Sequence, residues 1–205
     1  MSSPDSPLSS TLDSHRPVPD ELRTEQFALR PITAADAERD YAALMETREQ
    51  LRLWEQSTWP ADDFTVEANR EDLVGLETRH REGRAFTYTV VEPADTQALG
   101  CVYVFPITAT FLTKATVTPT GELRWDDVDA VVYFWMRTSA MQIGLDGSLL
   151  AALRTWFREV WKTECTVFVT NEQFTQQLAL IQSTELQLRF ELVEPGKPGT
   201  YLVFG

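Results

Sequence analysis

The stretch Ala130-Val-Val-Tyr-Phe-Trp-Met136, Arg137-Thr-Ser-Ala-Met-Gln-Ile-Gly144, Leu145-Asp-Gly-Ser-Leu-Leu-Ala-Ala-Leu-Arg-Thr-Trp156 decides the fold. Its first seven residues are β-branched and aromatic and too apolar for an exposed face, so they read as a central strand. The last part is an amphipathic helix. Leu145, Leu149, Leu153, Trp156 and Val160 repeat at three- and four-residue spacing, with Leu150, Ala152, Phe157 and Trp161 beside them, and define one buried stripe. A loop that leaves a strand and opens a helix aims unpaired backbone N–H groups and the positive end of the helix dipole at one point. Such a point suits a phosphate.

These residues resemble the acyl-CoA-binding core of the GCN5-related N-acetyltransferases, whose loop carries Arg/Gln-x-x-Gly-x-Gly/Ala. With Trp135 set on the aromatic residue common in the ribosomal-protein acetyltransferase branch, Ser139 falls on the basic or amide position, Gln142 on the first glycine and Gly144 on the second. The loop is therefore degenerate, with one of the three signature positions kept. The resemblance extends over roughly Leu22 to Gly205. It implies an α+β acyltransferase fold, a mixed and mostly antiparallel sheet of about seven strands flanked by about four helices. It also implies acetyl transfer from acetyl-CoA, or another acyl-CoA, to a primary amine by direct attack. The pyrophosphate would lie at the amides of Met141, Gln142, Ile143, Gly144, Leu145 and Asp146, and the pantetheine along Trp135, Met136 and Arg137. Arg137 is the nearest cation. Asn171 stands where the family often has an Asn that contacts pantetheine. It also fits a capping box with Thr170 and Gln173, and the two roles are compatible. Seven residues on, where many relatives place a tyrosine that protonates the thiolate, stands Leu178, and Glu185 departs from the usual glycine after the last helix.

Around this core the order is strand and helix first (Phe27 to Ile32, then a helix with Tyr41, Leu44, Met45 and Leu51 on one face, capped by Thr33 or Asp36). A second helix runs from about Thr65 to His80. Phe86 to Val91 and Leu99 to Phe105 form a hairpin, and Ile107 to Asp127 reads as a further extended hairpin. Cys165 to Asn171 is a strand followed by a helix, and Leu186 to Val193 and Tyr201 to Phe204 form a last hairpin. Its outer edge either pairs with a second copy, giving a homodimer, or is covered. One domain, residues 22–205, is expected after a flexible tail of residues 1–21 that is rich in Ser, Pro and Asp. Neither a secretory signal nor a membrane-spanning run is visible, so a cytoplasmic protein is expected, and the resemblance implies one of bacterial type.

The formal charge of −13 argues against nucleic-acid partners, whose phosphates are bound through Lys and Arg. It fits an acidic cleft that draws a cationic amine, either a small molecule or a peptide, or else it serves solubility alone. Cys101 and Cys165 lie in apolar runs and read as reduced core residues. With only His15 and His80 in the chain, neither a catalytic thiol pair nor a zinc site is indicated, and no metal is expected. A free amine with a pKa near ~10.4 must lose a proton before it attacks. Candidate groups are Glu55 in the aromatic loop, Asp129 with Asp126 and Asp127, and Tyr133 or Tyr201 as acid. Each carboxylate reads more readily as a solvated turn or surface charge, and a conducted water could serve in its place. Trp54 and Trp59 are candidate walls for the amine. The alternative is a catalytically degenerate member of the fold that binds a ligand or a protein partner, in which Trp54, Trp59 and Trp125 are interface or core residues.

Overall fold

In the computed structural model, which describes residues 18–205, one sheet of nine strands runs through the molecule in the order β1-β2-β3-β4-β6-β7-β9-β8-β5. The strands are β1 (Leu22–Arg23), β2 (Ala28–Pro31), β3 (Phe86–Val91), β4 (Ala98–Phe105), β5 (Thr116–Pro119), β6 (Ala130–Met136), β7 (Thr166–Asn171), β8 (Leu188–Val193) and β9 (Tyr201–Phe204). All neighbours are antiparallel except β6 and β7, which run parallel. The helices are α1 (Ala37–Glu46), α2 (Arg48–Glu55), α3 (Val66–Arg81), α4 (Thr138–Gln142), α5 (Leu145–Trp156) and α6 (Thr175–Gln182). The α+β architecture is the expected one, with two more strands and two more helices. Of the additional strands, β1 is two residues long, too short to leave a periodic signal, and β5 is what is extended of the segment expected as a further hairpin. The expected first helix is divided at Thr47, and the cofactor loop carries the single turn of α4.

Strand β6 is buried along its whole length because it is covered on both faces, as its unbroken apolar run requires. Helix α5 places Leu149, Leu150, Leu153 and Trp156 in the core. Its stripe then departs from the sequence reading. Residues Phe157–Trp161 form a π-helical turn, and the wider turn shifts the phase by one residue. Trp161 therefore faces the core, packing on Phe86 and Trp156, while Val160 is 54% exposed.

Three other expectations are corrected. Ile107 to Asp127 is not a hairpin closed on itself. Only Thr116–Pro119 is extended, and it pairs with β8 of the final hairpin, Thr116 opposite Val193 and Pro119 opposite Phe190. Of the two fates open to the final hairpin's outer edge, that pairing gives the covered one, and the hairpin's other strand, β9, inserts beside β7. Thr33 and Asp36 do not compete for one cap: Asp36 accepts from the Thr33 backbone and hydroxyl, then from Arg30 and Arg39. Finally, the packed chain begins before Leu22. Val18 lies against the core, and the buried Tyr88 hydroxyl donates to the Pro19 carbonyl at 2.7 Å. The rest of the expected tail, residues 1–17 with His15, lies outside the described residues.

Candidate active site

The parallel pairing of β6 with β7 ends at Tyr133 opposite Val169. Beyond it Phe134, Trp135 and Met136 keep their pairing with β4 on the other side, and the two parallel strands part. A gap in the sheet opens at this point, edged by backbone groups of β6. Gln177 of α6 crosses it: the side chain is buried and its Nε2 donates to the Phe134 carbonyl at 2.8 Å, while its Oε1 is buried without a partner. Asn171, at the end of β7, is fully engaged. Its Nδ2 donates to the Leu53 and Trp54 carbonyls at 3.1 and 2.7 Å, and its Oδ1 accepts from the Gln173 and Phe174 amides at 2.9 and 3.1 Å. Asn171 thus caps α6 from one side and closes the end of α2 from the other. Thr170 takes no part in the cap.

The loop after β6 is held by Glu46, the last residue of α1. Arg137 is buried and donates Nε to Glu46 Oε2 at 2.9 Å, with Nη2 on the same oxygen and Nη1 on the Ala98 carbonyl at 3.1 Å. The other Glu46 oxygen accepts from the Ser139 amide at 2.8 Å, and the Thr138 amide donates to the Thr47 hydroxyl. The bond from Arg137 and the Ser139 amide, against a smaller desolvation, hold the Glu46 carboxyl down at about 2. Gly144, at φ +75°, turns the chain into α5, and Gln142, Ile143 and Gly144 are exposed around the helix start. Met141 and Leu145 face inward. Asp146, in the first turn of α5, accepts from the Gly147 amide at 3.0 Å and from Gln176 at 3.3 Å.

On the other side of the gap lies a cavity of about 1110 Å³ walled by Trp54, Trp59, Tyr103, Phe105, Phe111, Tyr133 and Tyr201. The rings are packed on one another, Trp54 edge-on to Tyr133 at 6.3 Å and Phe105 edge-on to Tyr133 at 5.8 Å. Trp54 is 6% exposed, and its indole N–H is buried with no partner. The Tyr133 hydroxyl donates to Glu194 Oε1 at 3.0 Å. Burial first, and the neighbouring Glu55, push the Glu194 carboxyl up, against the pull of the Tyr133 bond and Lys197. Burial likewise pushes the Tyr133 phenol well up. Glu55 is ion-paired with Lys197, and the Tyr201 hydroxyl lies 3.3 Å from the Glu55 carbonyl.

Of the residues singled out in the sequence, Trp54, Trp59, Glu55 and Tyr133 come together in this cavity. Trp135 and Met136 line the parting edge from inside the core, Trp135 donating to the Tyr103 hydroxyl at 3.3 Å. Asp129 is not brought there. It precedes the opposite end of β6, roughly 23 Å of extended chain from Met136, where its carboxylate accepts from the Glu164 and Cys165 amides at 2.7 and 2.9 Å. Arg137 is no free cation for a phosphate but the partner of Glu46. The cavity also lacks the acidity of the whole chain: Asp72, Glu55 and Glu194 line it with Arg79, Arg84, Lys114 and Lys197. Glu46, Gln177, Glu194 and Lys197 carry no signal in the sequence, since each meets its partner only across the fold. Both cysteines are free thiols, and among the described residues no group of three His, Cys, Asp or Glu stands close enough to hold a metal ion. No helix of the described residues is long and apolar enough to cross a membrane.

No family model matches this sequence, and no curated protein does. Solved structures do. The ribosomal-protein-S5-alanine acetyltransferase from Vibrio fischeri is 15% identical and superposes with a TM-score of 0.64 over 90% of this chain and 94% of its own. RimJ from Mycobacterium smegmatis, solved in complex with CoA-disulfide, is 17% identical with a TM-score of 0.65 over 87% and 80%. An acetyltransferase from Salmonella typhimurium that modifies the N-terminal serine of a 50S ribosomal-subunit protein is 13% identical, with 0.61 over 88% and 94%. With its parting parallel strands, the helix that opens after β6 and these superpositions over nearly all the described chain, the fold is that of the GCN5-related N-acetyltransferases, the ribosomal-protein enzymes among them.

Proposed function

We propose that this chain is an acyl-CoA-dependent N-acyltransferase that passes an acyl group, acetyl in the simplest case, to a primary amine by direct attack. The observation that carries the reading is the place where β6 leaves β7. The backbone edge that opens after Tyr133 leads on to the start of α5, and the same tyrosine walls the aromatic cavity on the other side. A thioester laid along that edge would meet an amine held in the cavity, and orientation of this kind supplies about 7–11 kcal/mol of barrier lowering.

The chemistry of the edge fits the cofactor. Phe134 accepts a carboxamide N–H, the donor that pantetheine offers, and the Arg137–Ser139 segment accepts a carboxylate, an anion as the pyrophosphate is. Trp135, Met136 and Arg137 would flank the pantetheine, with the phosphates at the first turn of α5, since the Ile143 and Gly144 amides are already bonded to the Ala140 and Met141 carbonyls. Asn171, fully bonded within the protein, would support the site rather than touch the ligand. Trp54, Trp59 and Glu55 would receive the amine, a small molecule or the N-terminus of a peptide. The two ribosomal-protein enzymes lend the peptide its weight.

The same observations favour a second reading, a binding module without catalysis, because Gln177 and Glu46 already satisfy both groups and Asp146 adds a negative charge where phosphates would lie. Calorimetric titration with acetyl-CoA, followed by thiol release across a panel of primary amines, separates the two. Binding with acceptor-dependent thiol release is expected. Silence with every amine together with no heat of binding would leave the second reading.

A further inference from the structure

Resting on the acyl-transfer reading, we propose that Glu194 is the catalytic residue that holds the acceptor's ammonium group and removes its proton, and that Tyr133 positions it. Three observations lead to it. Glu194 lies in the segment between β8 and β9 and enters the aromatic cavity at Tyr133, the last residue of β6 before the strands part. Its Oε1 accepts from Tyr133 at 3.0 Å, which fixes the carboxylate and leaves Oε2 for a ligand. Trp54, Tyr133 and Tyr201 stand around it, and a carboxylate among aromatic faces is a recognised way to bind an ammonium ion.

The competing carboxylates are less suited. Glu55 is neutralised by Lys197, Asp72 is exposed on α3, and Asp129 is at the far end of β6. The groups facing Glu194 are Tyr133 on β6, Tyr201 on β9, Lys197 of its own hairpin and Glu55 at the end of α2. Burial outweighs them and leaves a carboxylate more basic than usual, suited to take a proton from the ammonium it holds.

The acceptor ammonium gives one proton to Glu194 Oε2, and the freed nitrogen lone pair forms a bond to the thioester carbonyl carbon. The carbon–sulfur bond then breaks with its electron pair going to sulfur. The second proton leaves nitrogen for the thiolate, and Glu194 returns its proton to water.

The test uses the full chain, phenethylammonium as the amine probe and phenethyl alcohol as its neutral analogue. Calorimetry should show the wild type preferring the ammonium over the alcohol, and Glu194→Gln should abolish that preference while its melting temperature stays within a few degrees. With acetyl-CoA present, Glu194→Gln should lower kcat for phenethylamine by roughly 100-fold or more and flatten the acid limb of the pH–rate profile. Tyr133→Phe should move that limb to higher pH, because it removes the bond that lowers the Glu194 carboxyl. Equal binding of ammonium and alcohol, or of ammonium by wild type and Glu194→Gln, overturns the proposal, as does the absence of ammonium binding. Ammonium binding that depends on Glu194, without thiol release from any amine, would instead overturn acyl transfer and leave the ammonium site standing.

Discussion

Replacing Gln177 by alanine should tighten acetyl-CoA binding. In the wild type the Gln177 carboxamide sits in the gap between β6 and β7 and bonds the Phe134 carbonyl at 2.8 Å. A pantetheine amide using that carbonyl must first displace it. One intramolecular hydrogen bond is worth about 0.5–1.5 kcal/mol net, so removing the competitor should lower the dissociation constant by roughly 2- to 12-fold. Stability should change little. The bond is lost, but the Gln177 Oε1, buried without a partner, no longer carries its desolvation penalty of about 1–3 kcal/mol. Calorimetric titration of acetyl-CoA into both proteins, with a thermal melt of each, measures the two quantities. A folded Gln177→Ala protein with unchanged or weaker affinity would mean that the cofactor does not lie along this edge, and the reasoning would fail.

Other perturbations should act as follows. Asn171→Ala removes four buried hydrogen bonds at once and should cost about 2–4 kcal/mol, a fall of roughly 5–12 °C in a thermal melt without any ligand; a loss seen only with acetyl-CoA present would make Asn171 a ligand contact instead. Glu46 is held below its unfolded value, so its contribution is complete above pH ~4.5 and disappears as pH falls toward about 2. With its side chain 30% exposed, screening leaves about 1–2 kcal/mol, and Glu46→Gln should show the smaller acid destabilisation in denaturant melts at pH 3 and 6. Gly100→Ala should fail to give folded protein or melt far lower, because a Cβ there would stand 2.1 Å from the Trp135 carbonyl and 2.9 Å from Met136 Cα, both backbone atoms of β6.

The elements most legible in the sequence were those whose pattern is dictated by burial on both sides. Ala130 to Met136 coincides with β6 because every residue of it is covered, and the same holds for Phe86 to Val91 and β3. Helix α3 lies where the sequence placed it, from about Thr65 to His80, and the structure adds the Thr65 cap, whose hydroxyl accepts from the Ala68 amide at 3.1 Å. Failures came where a single local departure overrides periodicity. The π-helical turn at Phe157–Trp161 turns Val160 outward, and β5 is extended only because β8 is there to pair with it. The candidate site divides in the same way. Trp54, at the end of α2, and Trp59, in the loop before Pro60, announce a pocket through aromatics gathered near a proline, a local signal. Glu46 and Arg137 are 91 residues apart, and Tyr133 and Glu194 are 61 apart. Glu194, beside Pro195 and Gly196, reads in sequence as an ordinary turn carboxylate, and only the hairpin's return to β6 turns it into a wall of the cavity.

The two halves of the site differ in what a ligand must displace. On the amine side nothing has to leave: the aromatic walls pack on one another around a cavity that is already open. On the cofactor side the protein's own groups satisfy the edge and the loop. Freeing Phe134 of Gln177 and the Ser139 amide of Glu46 costs about 2–4.5 kcal/mol, one neutral and one charge-assisted bond, or roughly 30- to 2,000-fold in affinity. An acyltransferase built this way would bind acetyl-CoA far more weakly than one with an open glycine loop and still place the thioester beside the amine. Weak binding therefore does not by itself argue for a module without catalysis. The distinguishing property is the response to relief. In an enzyme, Gln177→Ala and Glu46→Gln each strengthen acetyl-CoA binding, and together they do so nearly additively because the two bonds share no partner. In a binding module that has abandoned the cofactor, the same substitutions change stability and leave acetyl-CoA unbound.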